Sequence, residues 1–236
     1  MIGLLLHSEF LKIRRKGFWL LTLIGPLGVV FLQMVNYGVR KDYLLQQSDD
    51  DWSHYLANVN MFTPLALVLG IVILTSLMAS VENETNAWKQ LMALPVSKMA
   101  IYLSKFTVIV TLLLVASILL LIFTLGFGMY LDLGDNVPYL EAVKFSFYPV
   151  MAALPVLALH LWIALISRHQ GVPVTAGVVG VILNYMAYNL PDWLIWKWPA
   201  LMNGWAEPLT IVSLGIGFGV LLYVAGMIDF ARRDVT

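Results

Sequence analysis

An all-α, polytopic membrane protein is the fold class this sequence predicts, and three observations lead there. The 236 residues are 60% hydrophobic and only 12% charged, about half the charged fraction of an average soluble domain. A mean hydropathy of +0.83 is more than a water-exposed surface tolerates. Six apolar stretches, 18–39, 61–81, 105–130, 145–166, 172–190 and 209–228, reach the roughly 20 residues that a helix needs to cross about 30 Å of hydrocarbon. Helices suit these spans because backbone N–H and C=O groups in hydrocarbon must be paired within the segment. The runs also lack the alternation of a barrel strand. The chain therefore reads as a single transmembrane domain, 1–236, with its first 16 residues outside the hydrocarbon.

The N-terminal stretch 1–16 places Ile2, Leu5, Leu6, Phe10 and Ile13 near one helical face, with Glu9, Lys12, Arg14, Arg15 and Lys16 beside or beyond it. That pattern predicts an interfacial helix lying along the inner leaflet; a frayed extension of the first span is the alternative. The first span is too long for a secretory h-region and is followed by no small-residue cleavage site, so it reads as a retained helix.

Between the second and third spans, Asn83 is a good N-cap, Glu84 suits the positive end of a helix dipole and Pro95 stops a helix. These signals predict a short helix over 83–94, with Trp88, Leu91 and Met92 on one apolar face and Ser97 capping the helix that becomes the third span. Its exposed face needs a cover, either headgroups or a partner protein. Between the fifth and sixth spans, 191–208 is too short and too rich in proline to cross. Its Trp193, Trp196, Trp198 and Trp205 suit the headgroup interface. It predicts short outer helices or a re-entrant hairpin, against the alternative of an ordinary aromatic belt.

Orientation follows from the basic residues. With the N-terminus inside, Lys12, Arg14, Arg15, Lys16, Lys89, Lys98, Lys105, Arg168, Arg232 and Arg233 lie on the inner side. Only Arg40, Lys41, Lys144 and Lys197 lie on the outer side. Ten of 14 is a positive-inside bias that places both termini in the cytoplasm and the chain in the cell membrane as a multi-pass protein.

The absences weigh against several classes. The span interiors hold no Asp or Glu, so ligands for a coupling proton or sodium ion are lacking. His160 stands alone in its span and reads as hydrogen-bonded packing. Lys105, with Lys98 seven residues before it on the same face, is expected to snorkel to the inner surface. No paired-His zinc motif, nucleophile elbow or Gly-x4-Gly-Lys-Ser/Thr phosphate loop occurs. There is no cysteine, and a net charge of zero leaves no basic stripe for nucleic acid. The expectation is a chain without catalytic, metal or cofactor residues of its own. The neutral polar residues Gln33, Asn36, Asn184, Tyr185 and Asn189 either glue helices together, at about 1 kcal/mol each, or line a substrate path. Gly215, Gly217 and Gly219 would let a neighbouring helix approach closely.

The run Glu82-Asn83-Glu84, then Trp88-Lys89-Gln90-Leu91, Leu94-Pro95-Val96-Ser97-Lys98 and Ser104-Lys105 resembles the cytoplasmic loop between spans two and three of type-2 ABC transporter permeases. Glu9, Lys12, Arg14 and Arg15 ahead of Phe18-Trp19 resemble the connecting helix of that family. The resemblance covers the whole chain and is closest to small permeases of bacterial lantibiotic or bacitracin-like peptide-antibiotic export and immunity systems. It implies a coupling helix whose Glu82, Glu84, Trp88, Lys89, Leu91 and Leu94 contact a separate P-loop ATP-binding subunit, beside a connecting helix carrying Glu9, Lys12, Arg14 and Arg15. It also implies two ATP-binding chains that hold ATP and Mg, and a second permease chain, identical or paralogous, within membrane lipid. ATP-driven export of an amphipathic or hydrophobic cargo, such as a peptide antibiotic, is the expected function. A non-transport membrane sensor or scaffold and an ion-coupled secondary carrier are the other two classes left open.

Overall fold

In a computed structural model, the described residues are 2–14, 16–48, 50–84, 96–167, 169, 171–204 and 206–233. Among them are eight α-helices and no strand: α1 (Ile2–Ile13), α2 (Phe18–Leu45), α3 (Asp51–Glu84), α4 (Lys98–Tyr130), α5 (Tyr139–Ala152), α6 (Leu154–Ile166), α7 (Gly171–Tyr185) and α8 (Pro208–Arg232). Four of these, α2, α3, α4 and α8, are long and apolar enough to cross a membrane, and the bent pair α5–α6 would make a fifth. The fifth predicted stretch is the 15-residue α7, about 22 Å of helix, followed by a 3₁₀ turn at Ala187–Asn189.

Local chemistry explains the element boundaries. Gly17, at φ 80°, makes the left-handed elbow between α1 and α2 that a residue with a Cβ would resist. Asp50 caps α3, its carboxylate accepting from the backbone N–H of Ser53 at 3.1 Å and the Ser53 hydroxyl at 2.6 Å. The hydroxyl bond holds that carboxyl below its ordinary pKa. Ser97 caps α4 as the sequence predicts, its side chain accepting from the Ala100 N–H at 3.2 Å. By contrast, α3 runs on through Glu84, so Asn83 lies inside that helix rather than capping a new one.

The fourth predicted stretch is interrupted. α5 and α6 meet at Ala153 with a bend of 41°. Pro155 has no N–H to offer the Met151 carbonyl, its partner in a regular helix ladder. α8 closes on this break. A methyl group at Gly215 would lie 2.7 Å from Ala152 Cα and 2.9 Å from the Met151 carbonyl oxygen, and one at Gly219 2.7 Å from Leu154 Cβ. Gly217 faces open space, so the four-residue pair and not the whole glycine run permits the contact.

Two buried clusters sit at opposite ends. One joins Ile13 and Phe18 to α3, α4, α6 and Phe230 of α8; we call this the inner end, following the charge bias. The other gathers Tyr37, Trp52, Tyr55 and Phe127, with Tyr55 donating to the Thr124 carbonyl at 3.0 Å and Trp52 to that of Gly134 at 3.0 Å. The faces of α2, α7 and α8 that point away from these clusters are apolar and exposed, as at Phe31, Val178 and Leu221. Surfaces of that chemistry suit hydrocarbon.

Candidate functional site

The connecting-helix residues gather at the inner end in an arrangement the sequence reading did not foresee. Leu5, Glu9 and Ile13 fall four residues apart, and all three are buried. Leu5 and Ile13 of the apolar face of α1 are therefore covered by protein, chiefly α4, while Leu6 and Phe10 are half-buried. Glu9 goes in with Leu5 and Ile13. Its carboxylate accepts from Lys12 at 2.8 Å and from Lys105 of α4 at 3.1 Å. Lys105 is fully buried, so it does not snorkel to the surface as expected. Desolvating its ammonium is tolerable because the Glu9 charge goes in with it. Arg14 remains exposed, and Arg15 lies outside the described residues.

Beside this clamp, Lys98 at the start of α4 donates to the Arg233 carbonyl just beyond α8. Arg233 in turn bonds Asp229 at 2.8 Å, and the same Asp229 oxygen accepts from the Trp162 indole at 2.9 Å. The inner ends of α1, α4, α6 and α8 are thus tied by charge-assisted bonds around the place where α4 begins. Of the predicted coupling residues, Glu82 and Glu84 belong to the last turn of α3, with side chains outside the description. Trp88, Lys89, Leu91 and Leu94 lie outside the described residues altogether.

The five neutral polar residues are not brought together. Gln33 is fully buried and donates to the Asn58 carbonyl of α3 at 2.9 Å, while Asn184 donates to the Trp196 carbonyl at 2.8 Å. Both act as ties between segments. Asn36 accepts from Arg40 one turn on, and Tyr185 and Asn189 are exposed. A cavity of about 60 Å³ between α2, α3, α4 and α5 carries the hydroxyls of Thr22, Thr63, Ser117 and Ser146. Those of Thr22, Thr63 and Ser146 donate to carbonyls of their own helices, so they add little polarity to its wall.

The connection between α7 and α8 departs most from its expected form. Instead of outer α-helices it holds turns and a 3₁₀ turn at Trp198–Ala200. Among the described tryptophans of this connection, Trp193 alone is strongly exposed, at 72%, while Trp198 is buried against Phe218 with ring centroids 5.9 Å apart. Phe218 is the eleventh residue of α8, about 15 Å along that helix. Trp196 also points inward. A methyl at Gly180 would lie 2.6 Å from its indole nitrogen and 3.1 Å from Nε2 of His160, and neither nitrogen has a hydrogen-bond partner among the described residues. The hydrogen-bonded packing expected of His160 is therefore packing without the bond at that atom.

Asp192 explains the inward fold. Its carboxylate pairs with buried Lys197 at 2.6 Å and accepts from the Gly204 N–H at 3.0 Å. Its carbonyl accepts from Trp198 at 2.9 Å and Asn203 at 2.7 Å. No sequence motif announces such a hub; the Pro-Asp turn at 191–192 is its only trace. Asp192→Ala should release this segment at a local cost of about 2 kcal/mol, since charged hydrogen bonds are lost while Lys197 stays buried. Hydrogen exchange should rise across 190–204 and remain unchanged in α4.

Neither the comparison with curated proteins nor that with solved structures gives a match. The family model described as ABC-2 family transporter protein does match, over residues 5–184. That span takes in α1 with its Glu9 clamp and runs through to Asn184. The chain belongs to the ABC-2 transporter family: it is a multi-pass membrane permease subunit of an ABC transporter, a kind of chain that works with a partner ATP-binding subunit.

Proposed function

We propose that this permease supplies half of a translocation pathway that carries an amphipathic or hydrophobic cargo, such as a peptide antibiotic, out of the inner leaflet. In this reading the chain crosses the bilayer six times with both termini in the cytoplasm, and α5–α6 and the short α7 serve as the fourth and fifth crossings. A second permease chain completes the pathway, and two ATP-binding chains hold the ATP and Mg. Segment 82–98 docks on one of them through Glu82, Glu84, Trp88, Lys89, Leu91 and Leu94.

One observation above the others supports this division of labour. The buried Glu9–Lys105 pair fastens α1 to α4 two turns from where α4 leaves the 82–98 connection. A push on that connection reaches α3 and α4 directly through the chain, and α1 through the pair. From α1 it passes by the Gly17 elbow into α2. Coupling segment and connecting helix then move as one body. The absence of carboxylates from the span interiors favours an external engine over an ion gradient.

Co-purification in mild detergent tests the partnership, and a stable complex with a P-loop ATPase is expected. Trp88→Ala combined with Leu91→Ala should reduce both that association and cargo-stimulated ATP hydrolysis at least tenfold. Unchanged binding and unchanged transport would remove the coupling role. A chain that responds to cargo without any ATPase would instead be a sensor or scaffold, and ion dependence in vesicles would mark a secondary carrier.

A further inference from the structure

We propose that the elbow between α1 and α2 is a binding site for an anionic phospholipid of the inner leaflet, its phosphate held by Arg14 and His7. The site rests on a segregation of charge within α1. Glu9 is the sole acidic residue before Asp42 in the sequence. It is turned into the protein, where Lys12 and Lys105 neutralise it. The opposite face of α1 carries Leu4, His7, Leu11 and Arg14 at helical spacing, all exposed. Basic groups are thus presented on this face with no carboxylate of α1 beside them.

The elbow gives that face a shape. Gly17 at φ 80° turns the chain so that Trp19, 44% exposed, lines the same cavity as Phe10 and Leu11. His7, Phe10, Leu11, Arg14 and Trp19 enclose a cavity of about 390 Å³, open on one side. Neither the Arg14 guanidinium nor the His7 ring bonds another side chain among the described residues. The chemistry is that of a phosphate-sized anion with apolar surroundings. Exposed Leu4, at 77%, and Leu20, at 60%, add apolar surface on the two helices that form the cavity. Such a surface has no use for free phosphate in water and suits the glycerol and first methylenes of a lipid. A basic group immediately beside a spanning helix is also where an anionic leaflet exerts its strongest pull.

The proposal rests on α2 being a membrane span but needs no ATP-binding partner, so its failure and that of the transport reading are separable. The full chain is reconstituted into nanodiscs of phosphatidylcholine containing phosphatidylglycerol, with a photoactivatable probe of either lipid added in trace. The phosphatidylglycerol probe should label residues 1–20 several-fold more than the phosphatidylcholine probe. Arg14→Gln with His7→Gln should lower that preference about fivefold, one cation near an anionic surface being worth about 1 kcal/mol. Leu11→Glu, which puts a carboxylate into the cavity and leaves Arg14 and His7 in place, should do the same. Equal labelling by the two probes, or a preference that survives both variants, would overturn the proposal. Full competition by inorganic phosphate would also overturn it, in favour of a free-anion site.

Discussion

Glu9→Gln is expected to lower the unfolding midpoint of the detergent-solubilised chain by on the order of 10 °C. Lys105 is 0% exposed and the Glu9 side chain 2%, so no water compensates for a lost partner. Removing one member of a buried pair typically costs 3–5 kcal/mol, because the other charge stays in a medium that cannot solvate it. In a chain of this size each kcal/mol corresponds to roughly 2–4 °C. The reciprocal change, Lys105→Met, should also lower the midpoint, and it leaves Glu9 with Lys12 at 2.8 Å, near the edge of the protein. The double variant Glu9→Gln with Lys105→Met should recover part of the sum, as charge and counter-charge leave together. Tryptophan fluorescence on heating measures all three in one micelle. An unchanged midpoint in Glu9→Gln would mean that the pair contributes no net stability, and would also weaken its role in joining α1 to α4.

Gly215→Val should also be strongly destabilising, by a different route. The first added carbon already meets Ala152 Cα at 2.7 Å and the Met151 carbonyl oxygen at 2.9 Å. These are backbone atoms at a bend and cannot rotate aside, so α8 must lift from the α5–α6 break. Overpacking of this kind costs about 1–3 kcal/mol where side chains can give way, and backbone contact puts this case at the upper end. Gly219→Val should act similarly through Leu154. Gly217→Ala is the control: it meets nothing within 4 Å, and alanine's better helix propensity should leave stability equal or slightly higher. Loss of monodisperse protein in Gly215→Val but not Gly217→Ala is the expected outcome in size-exclusion chromatography. Equal behaviour of the two variants would contradict the close approach.

What could be read in advance followed from signals that act locally. Ser97 caps α4 because a hydroxyl before a helix start has few other uses there, and Gly215 with Gly219 marked a face by spacing alone. What could not be read depended on partners distant in sequence. Glu9 looked outward because a carboxylate on an amphipathic helix ordinarily belongs with water. Its place between Leu5 and Ile13 was the contrary hint, but the decisive fact, a lysine 96 residues away, has no local trace. The same holds for Trp196 and Trp198. An indole suits both a headgroup belt and a buried wedge, and only the bonds made by Asp192 select the second. The break at Ala153 was concealed because Pro149 and Pro155 sit in an apolar run whose composition looks continuous.

The stiffness of α4 has a mechanical consequence. It is 33 residues long with no proline in it, whereas α2, α3 and α5 carry Pro26, Pro64 and Pro149 in their interiors. A straight helix of that length measures about 50 Å, well beyond the roughly 30 Å of hydrocarbon it would cross. Such a rod behaves as a lever with its fulcrum inside the bilayer. Pivoting by about 5° about its centre carries each tip roughly 2 Å in opposite directions. A displacement at Lys98 would then reach the aromatic residues around Phe127 reversed in direction.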